Sequence, residues 1–110
     1  MNYGKHVQGT ATVTTQTSAD IIATPGTLLR MAVQKVVVSC FIVAGSATLA
    51  ITDGTTTYWR VAVDDTDGGV SWQLDFGDKG YYLPLNKALV FTIAGGEADG
   101  IATAVGYTRG

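Results

Sequence analysis

Residues 57–76 read TYWRVAVDDTDGGVSWQLDF, and the fold turns on how this stretch is divided. Before the aspartates, Trp59, Val61 and Val63 alternate with Tyr58, Arg60 and Ala62; after them, Val70, Trp72, Leu74 and Phe76 alternate with Ser71, Gln73 and Asp75. A period of two places each apolar set on one face of a strand. The segment between them, DDTDGG, is made of turn residues. The simplest reading is a hairpin in which Val63 faces Val70, Val61 faces Trp72 and Trp59 faces Leu74. Every apolar side chain then lies on one side of one sheet. On the other side Arg60 meets Gln73 and Tyr58 meets Asp75.

The rest of the chain carries the same signature. No segment sustains an apolar period of 3.6. Short runs of β-branched and aromatic residues recur instead, separated by Gly, Asp and Pro-Gly. Strands are expected near Thr10–Thr17, Ala19–Ala23, Leu28–Gln34, Val36–Val43, Ala47–Thr52, Thr56–Val63, Val70–Phe76, Leu89–Ala94 and Ile101–Thr108. This is an all-β chain of about eight or nine short antiparallel strands, the spacing of a single β-sandwich or a barrel. Residues 1–9 read as a polar N-terminal arm and 10–110 as the β-sandwich domain.

Three strands raise further expectations. A loop of odd length after Thr52, or a bulge at Gly54, keeps Leu49 and Ile51 on the face of Trp59 and pairs Leu49 with Trp59. The run VVVSCFIV at 36–43 is apolar on both faces, as in a strand buried from two sides, mid-sandwich or under a neighbouring subunit. Ala102, Ala104 and Gly106 share one face of the last strand and leave room for something bulky.

Composition narrows the function classes. The chain has 110 residues, enough for one domain with a core. Charged residues are 15% of it, below the ~25% of an ordinary soluble domain. A surface so poor in charge is either rich in Thr, Ser and Gly or covered by a partner. Net charge is -2 with no basic run, which argues against nucleic-acid binding. The N-terminus lacks the apolar segment of a signal peptide, and no apolar stretch is long enough to span a membrane as a helix. The single cysteine, Cys40, has no internal disulfide partner and reads as a buried apolar residue made in a cytoplasm.

Each candidate site has a plainer reading beside it. Asp64, Asp65 and Asp67 do not fit the EF-hand spacing in either register around Gly68 and Gly69, and their flanks are strands. A looser calcium loop through Asp64–Asp67 competes with the ordinary use of Asp and Gly in turns, which we favour. Paired-carboxylate hydrolysis needs a desolvated acid, and these lie on a loop tip. Nucleophilic catalysis needs a base near Ser or Cys, whereas the only histidine is His6, in the arm. One His and one Cys cannot build a zinc site. The sequence therefore points to no enzyme, no cofactor and no metal. The binding signal that remains is aromatic: Tyr58, Tyr81 and Tyr82, expected to face outward, suit a protein interface or a sugar ring. Tyr3, Lys5, His6 and Val7 of the arm complete the docking candidates.

Three stretches resemble small all-β bacteriophage virion proteins: GTATVTTQTSADIIATPGTLLR, ITDGTTTYWRVAV and DFGDKGYYLPLNKALVFTIAGG. The resemblance covers most of the chain in style and contains no diagnostic motif. It implies a jelly-roll-like sandwich, a virion location, and a capsid decoration or cement subunit acting by oligomerisation. The implied partners are itself, most simply as a homotrimer, and a major capsid or other virion protein. The alternative is a tail-tip or adhesion module that binds host-surface carbohydrate through Tyr58, Tyr81 and Tyr82.

Overall fold

A computed structural model describes residues 5–14 and 17–109. They form nine strands and no helix: β1 His6–Thr14, β2 Thr17–Ile22, β3 Arg30–Ala44, β4 Ser46–Thr52, β5 Thr57–Asp64, β6 Gly69–Asp75, β7 Tyr81–Tyr82, β8 Leu89–Ala94 and β9 Glu97–Arg109. Sheet A has the order β1-β9-β3-β6, with β7 also paired to β3, and sheet B has the order β2-β8-β4-β5. Every pairing is antiparallel. Apart from the short β7, the chain changes sheet at every connection except β4 to β5. Two four-stranded sheets wound in this way make a jelly roll.

The core is the set of inward faces. Val36, Val38, Cys40 and Ile42 of β3 alternate inward, as do Leu49 and Ile51 of β4, and Phe91 and Ile93 of β8. Gly100 of β9 faces them, and a Cβ there would sit 3.0 Å from the Phe91 ring and 2.9 Å from Ile93. At Gly100, then, what fills the space beside the small residues of β9 is intramolecular. Ala102 and Ala104 lie on the same face and are buried.

The structure corrects the reading of residues 57–76. The alternation holds, but the two strands are not a hairpin: β5 pairs with β4 in sheet B and β6 with β3 in sheet A. DDTDGG arches from one sheet to the other. Trp59 and Trp72 therefore meet across the sandwich, ring centroids 5.3 Å apart and edge-on, rather than as diagonal neighbours in one sheet. A hairpin and an arch give the same alternation, because both turn the two apolar faces toward one core.

The β4–β5 connection is a second correction. The loop, 53–56, has four residues, and the pairing is Leu49 with Val61 and Ile51 with Trp59. A register shift between Ile51 and Thr52 leaves Tyr58 as the extra residue on β5, so the apolar face is preserved by a bulge one strand away from Gly54. The bulge also draws Tyr58 into contact with the core instead of outward.

Strands expected at 28–34 and 36–43 form one continuous strand, β3, with a shift at Gln34. The outer face of β3 is not covered within the chain, since Val37, Phe41 and Val43 remain 38%, 58% and 51% exposed. Part of the segment assigned to an arm is strand. Strand β1 begins at His6 and pairs with β9 from His6–Tyr107 onward, so residues 6–9 belong to the sandwich. Gly9, the last residue of the expected arm, is required in β1 because a Cβ would collide with the Ile21 carbonyl oxygen. Tyr3 lies outside the described residues, as do Thr15 and Gln16.

Candidate assembly surface

Cross-strand pairing fixes which residues share the outer face of sheet A. One row runs Thr12, Ile101, Ser39, Ser71; the next runs Thr10, Thr103, Val37, Gln73; a third runs Thr14, Asp99, Phe41, Gly69. Hydroxyls join neighbouring strands, with Thr10 Oγ1 3.2 Å from Thr103 Oγ1 and Ser39 Oγ donating to Ser71 Oγ at 3.3 Å. Ile101 is 44% exposed among them. Phe41 and Ile101 border a shallow depression of about 500 Å³ over Ser39, Gly69 and Ser71. The face is thus a flat Thr/Ser surface with apolar side chains set into it.

Toward the other end the same face becomes aromatic and basic. His6, Tyr107, Ala32 and Tyr82 form one row, and Ala32 is small enough for the tyrosine rings to approach over it. Their centroids are 6.4 Å apart at 88°. Tyr107 donates its hydroxyl proton to the Lys79 carbonyl at 2.7 Å, so the 3.2 Å contact is a donation from Tyr82 to Tyr107. Arg109 Nη1 donates to the Tyr82 oxygen at 2.8 Å and lies 5.9 Å from its ring centroid. Tyr107 and Arg109 were not singled out in the sequence, where nothing connected the last strand to Tyr82.

Tyr81 points the other way. Its ring is 5.3 Å from Tyr58 and 6.0 Å from Phe76. Tyr58 is not an outward platform. It donates to Asp53 Oδ2 at 2.6 Å, while Asp53 Oδ1 accepts the Thr55 and Thr56 N–H groups at 2.8 and 2.7 Å. Burial alone would raise the Asp53 pKa; the bonds from Thr56, Tyr58 and Thr55 and the Lys87 charge outweigh it and hold the carboxyl below its ordinary value. Burial, then Asp53 itself, pushes the Tyr58 hydroxyl well above the ordinary phenol value. The three tyrosines singled out in the sequence thus do not make one site.

Lys5, His6 and Val7 line a cleft of about 680 Å³ with Ile22 of β2 and with Pro25 and Leu29 of the β2–β3 connection. The opposite end of the molecule is acidic. Asp64, Asp65 and Asp67 on the arch lie beside Glu97 and Asp99 at the start of β9, whereas Lys5, Arg30, Lys79, Lys87 and Arg109 cluster at the far end. The principal extents are 50 × 23 × 18 Å, with the strands along the long axis.

Two of the three arch carboxylates, Asp64 and Asp67, bond within the loop itself. Asp64 Oδ1 accepts the Thr66 N–H at 3.0 Å and its hydroxyl, and Asp67 Oδ2 accepts the Asp64 N–H at 2.9 Å. The Thr66 bonds, side chain first, lower the Asp64 pKa. No group of three or more His, Cys, Asp or Glu among the described residues is placed to hold a metal ion. Cys40 is buried, and burial followed by the Asp99 charge raises its thiol pKa, away from nucleophilic use.

No protein-family model matches the chain, and no curated protein does. Solved structures similar in outline include a subunit of Bacillus endospore appendages, described as disulfide-linked pili. It is 16% identical over 99% of this chain and 93% of its own, with a TM-score of 0.49. The Tobacco streak virus coat protein is 13% identical over 96% and 88%, with a TM-score of 0.43. PirA is 13% identical over 97% and 94%, also at 0.43. Superpositions this loose transfer neither an activity nor a partner. The chain's own strand order defines its class, an antiparallel jelly-roll sandwich.

Proposed function

We propose that this protein is a non-catalytic structural subunit that works by association, built into a virion as a capsid decoration or cement protein. The observation that supports this reading most directly is the outer face of sheet A. Phe41, Val43, Val37 and Ile101 are left exposed on a hydroxyl-rich flat sheet in a chain that is only 15% charged. Such a face gains from being covered: burying these side chains contributes roughly 1 kcal/mol or more each. Its partners on this reading are further copies of itself, a trimer being the simplest closed form, and a major capsid or other virion protein.

The test is immunogold electron microscopy of virions from cultures that make the protein. Labelling of particle heads is the expected result. Labelling confined to tail tips would favour the carbohydrate-binding alternative, for which Tyr82, Tyr107 and Arg109 form the exposed aromatic site. Absence of label from every particle would sink the virion reading.

A further inference from the structure

The four edges of the sandwich are not equally guarded. In sheet B, β5 carries Arg60 mid-strand and the bulge at Tyr58, and β2 carries Asp20 beside its own register shift. Asp67 caps the end of β5, accepting the Asp64 N–H and donating its own to the Asp64 carbonyl at 3.0 Å. Charge, bulges and caps are how natural sheets keep their edges from pairing. Away from their ends, the edges of sheet A have none of these: β1 carries no Lys, Arg, Asp or Glu from His6 to Thr14, and β6 carries none from Gly69 to Gln73.

Hydrogen bonds at the strand ends show which backbone groups face out. Thr108 N–H donates to the Lys5 carbonyl, so odd-numbered residues of β1 bond to β9, and His6, Gln8, Thr10, Thr12 and Thr14 direct their N–H and C=O groups to the open edge. Thr14 is capped by Thr17, whose hydroxyl donates to the Thr14 carbonyl and accepts the Thr14 N–H. On β6, Phe76 N–H donates to Gln34 and Gly68 accepts from Ile42, which leaves Gly69, Ser71, Gln73 and Asp75 facing out. Four open residues on one edge therefore match four on the other.

We infer that β1 of one copy pairs antiparallel with β6 of the next, joining sheet A to sheet A. This rests on the reading of the protein as an associating subunit and names the contact it uses. The register sets His6 against Asp75, Gln8 against Gln73, Thr10 against Ser71 and Thr12 against Gly69. It places His6 beside the carboxylate of Asp75, forms about eight backbone hydrogen bonds, and keeps every outer-face side chain on one continuous face. Because β6 runs opposite to β1 in sheet A, successive copies keep their strands in the same sense. The contact is head-to-tail, closing into a ring or running on as a row according to the rotation at each joint.

Proline at an edge-facing N–H removes the intermolecular backbone bond and no intramolecular backbone bond, although Thr10→Pro and Ser71→Pro each also lose one hydroxyl bond on the outer face. Sedimentation of the wild-type protein is expected to show concentration-dependent oligomers, and Thr10→Pro and Ser71→Pro are each expected to be monomeric. Their equimolar mixture should give a dimer and nothing larger, since the intact β6 of one variant meets the intact β1 of the other. A wild-type protein that stays monomeric at every concentration overturns the inference, as does a mixture that stays monomeric. Oligomers that survive both prolines overturn it while leaving association through the outer face standing. Self-association of Ser71→Pro alone would mean β1 pairs with β1. Should a proline lower Tm by more than about 10 °C, Thr10→Lys and Ser71→Lys carry the same test. Immunogold labelling is independent of all these outcomes.

Discussion

Strand β5 is bounded by two turns built on aspartate, glycine and threonine that surround their aspartates differently. Residues 64–69, from the last residue of β5 to the first of β6, hold three aspartates, drew attention in the sequence, and form an open arch where each carboxylate bond is local. The turn at 53–56 holds one aspartate, looked ordinary, and buries it to 5% exposure with three donors converging on it. The difference is desolvation. A carboxylate in water exchanges one set of hydrogen bonds for another, whereas a buried one strands its donors when removed. How an aspartate is surrounded counts for more than how many aspartates lie near it.

The largest expected effect follows from that contrast. Asp53→Ala should cost about 2 kcal/mol, the lower part of the range for bonds to a charged acceptor, because solvent still reaches Thr55 and Thr56. Thermal unfolding would show it as a Tm lower by roughly 10 °C. Tyr58→Phe keeps the ring against Tyr81 and loses one bond, so about 1 kcal/mol is expected.

The same pair sets a pH window at both ends. The Asp53 pKa is lowered in the fold, so its contribution is present above the ordinary carboxylate value near ~4 and fades as pH falls through the folded value. Asp53→Asn should flatten that acid limb of a denaturation series. The Tyr58 pKa is raised, so its contribution is present below ~10 and is lost as pH climbs above that value. Tyr58→Phe should flatten the alkaline limb. A variant that leaves its limb unchanged removes that residue from the account.

The smallest effect belongs to the arch. Asp64→Asn with Asp67→Asn should move Tm by less than about 3 °C, and millimolar calcium or a chelator should leave it where it was. If the arch pair cost as much as Asp53→Ala, or if calcium raised Tm, the contrast between the two turns would collapse and the metal reading of Asp64–Asp67 would return.

Much of the fold was legible because alternation reports which side of a strand is buried. The inward sets of β4, β5 and β6 could be read from residue type, whereas β3 and β8, apolar on both faces, showed no inward side until the sheets were in place. Alternation says nothing about which strand lies alongside, which is why the arch between β5 and β6 was taken for a hairpin. It is also blind to bulges, so Tyr58 was placed outward when one extra residue turned it inward. Residues 6–9 were assigned to the arm because they are polar, although Gly9 sits in β1 at a close backbone crossing. The aromatic group at Tyr82 was half visible: its partners Tyr107 and Arg109 come from the far end of the chain and meet it only because Ala32 separates them in one row of the sheet.

The separation of acidic and basic ends has a consequence for how copies approach one another. A body 50 Å long with Asp64, Asp65, Asp67, Glu97 and Asp99 at one end, and with Lys5, Arg30, Lys79, Lys87 and Arg109 outnumbering Asp53, Asp75 and Asp78 at the other, is an electric dipole along its strands. Copies joined edge to edge with strands in the same sense stand with those dipoles parallel, like poles abreast. Four strands separate them by roughly 19 Å. That exceeds the screening length of about 8 Å at physiological ionic strength but falls within the 30 Å reached near 0.01 M. Salt, which weakens most charged contacts, should here let the subunits stand side by side, and dialysis into dilute buffer should part them.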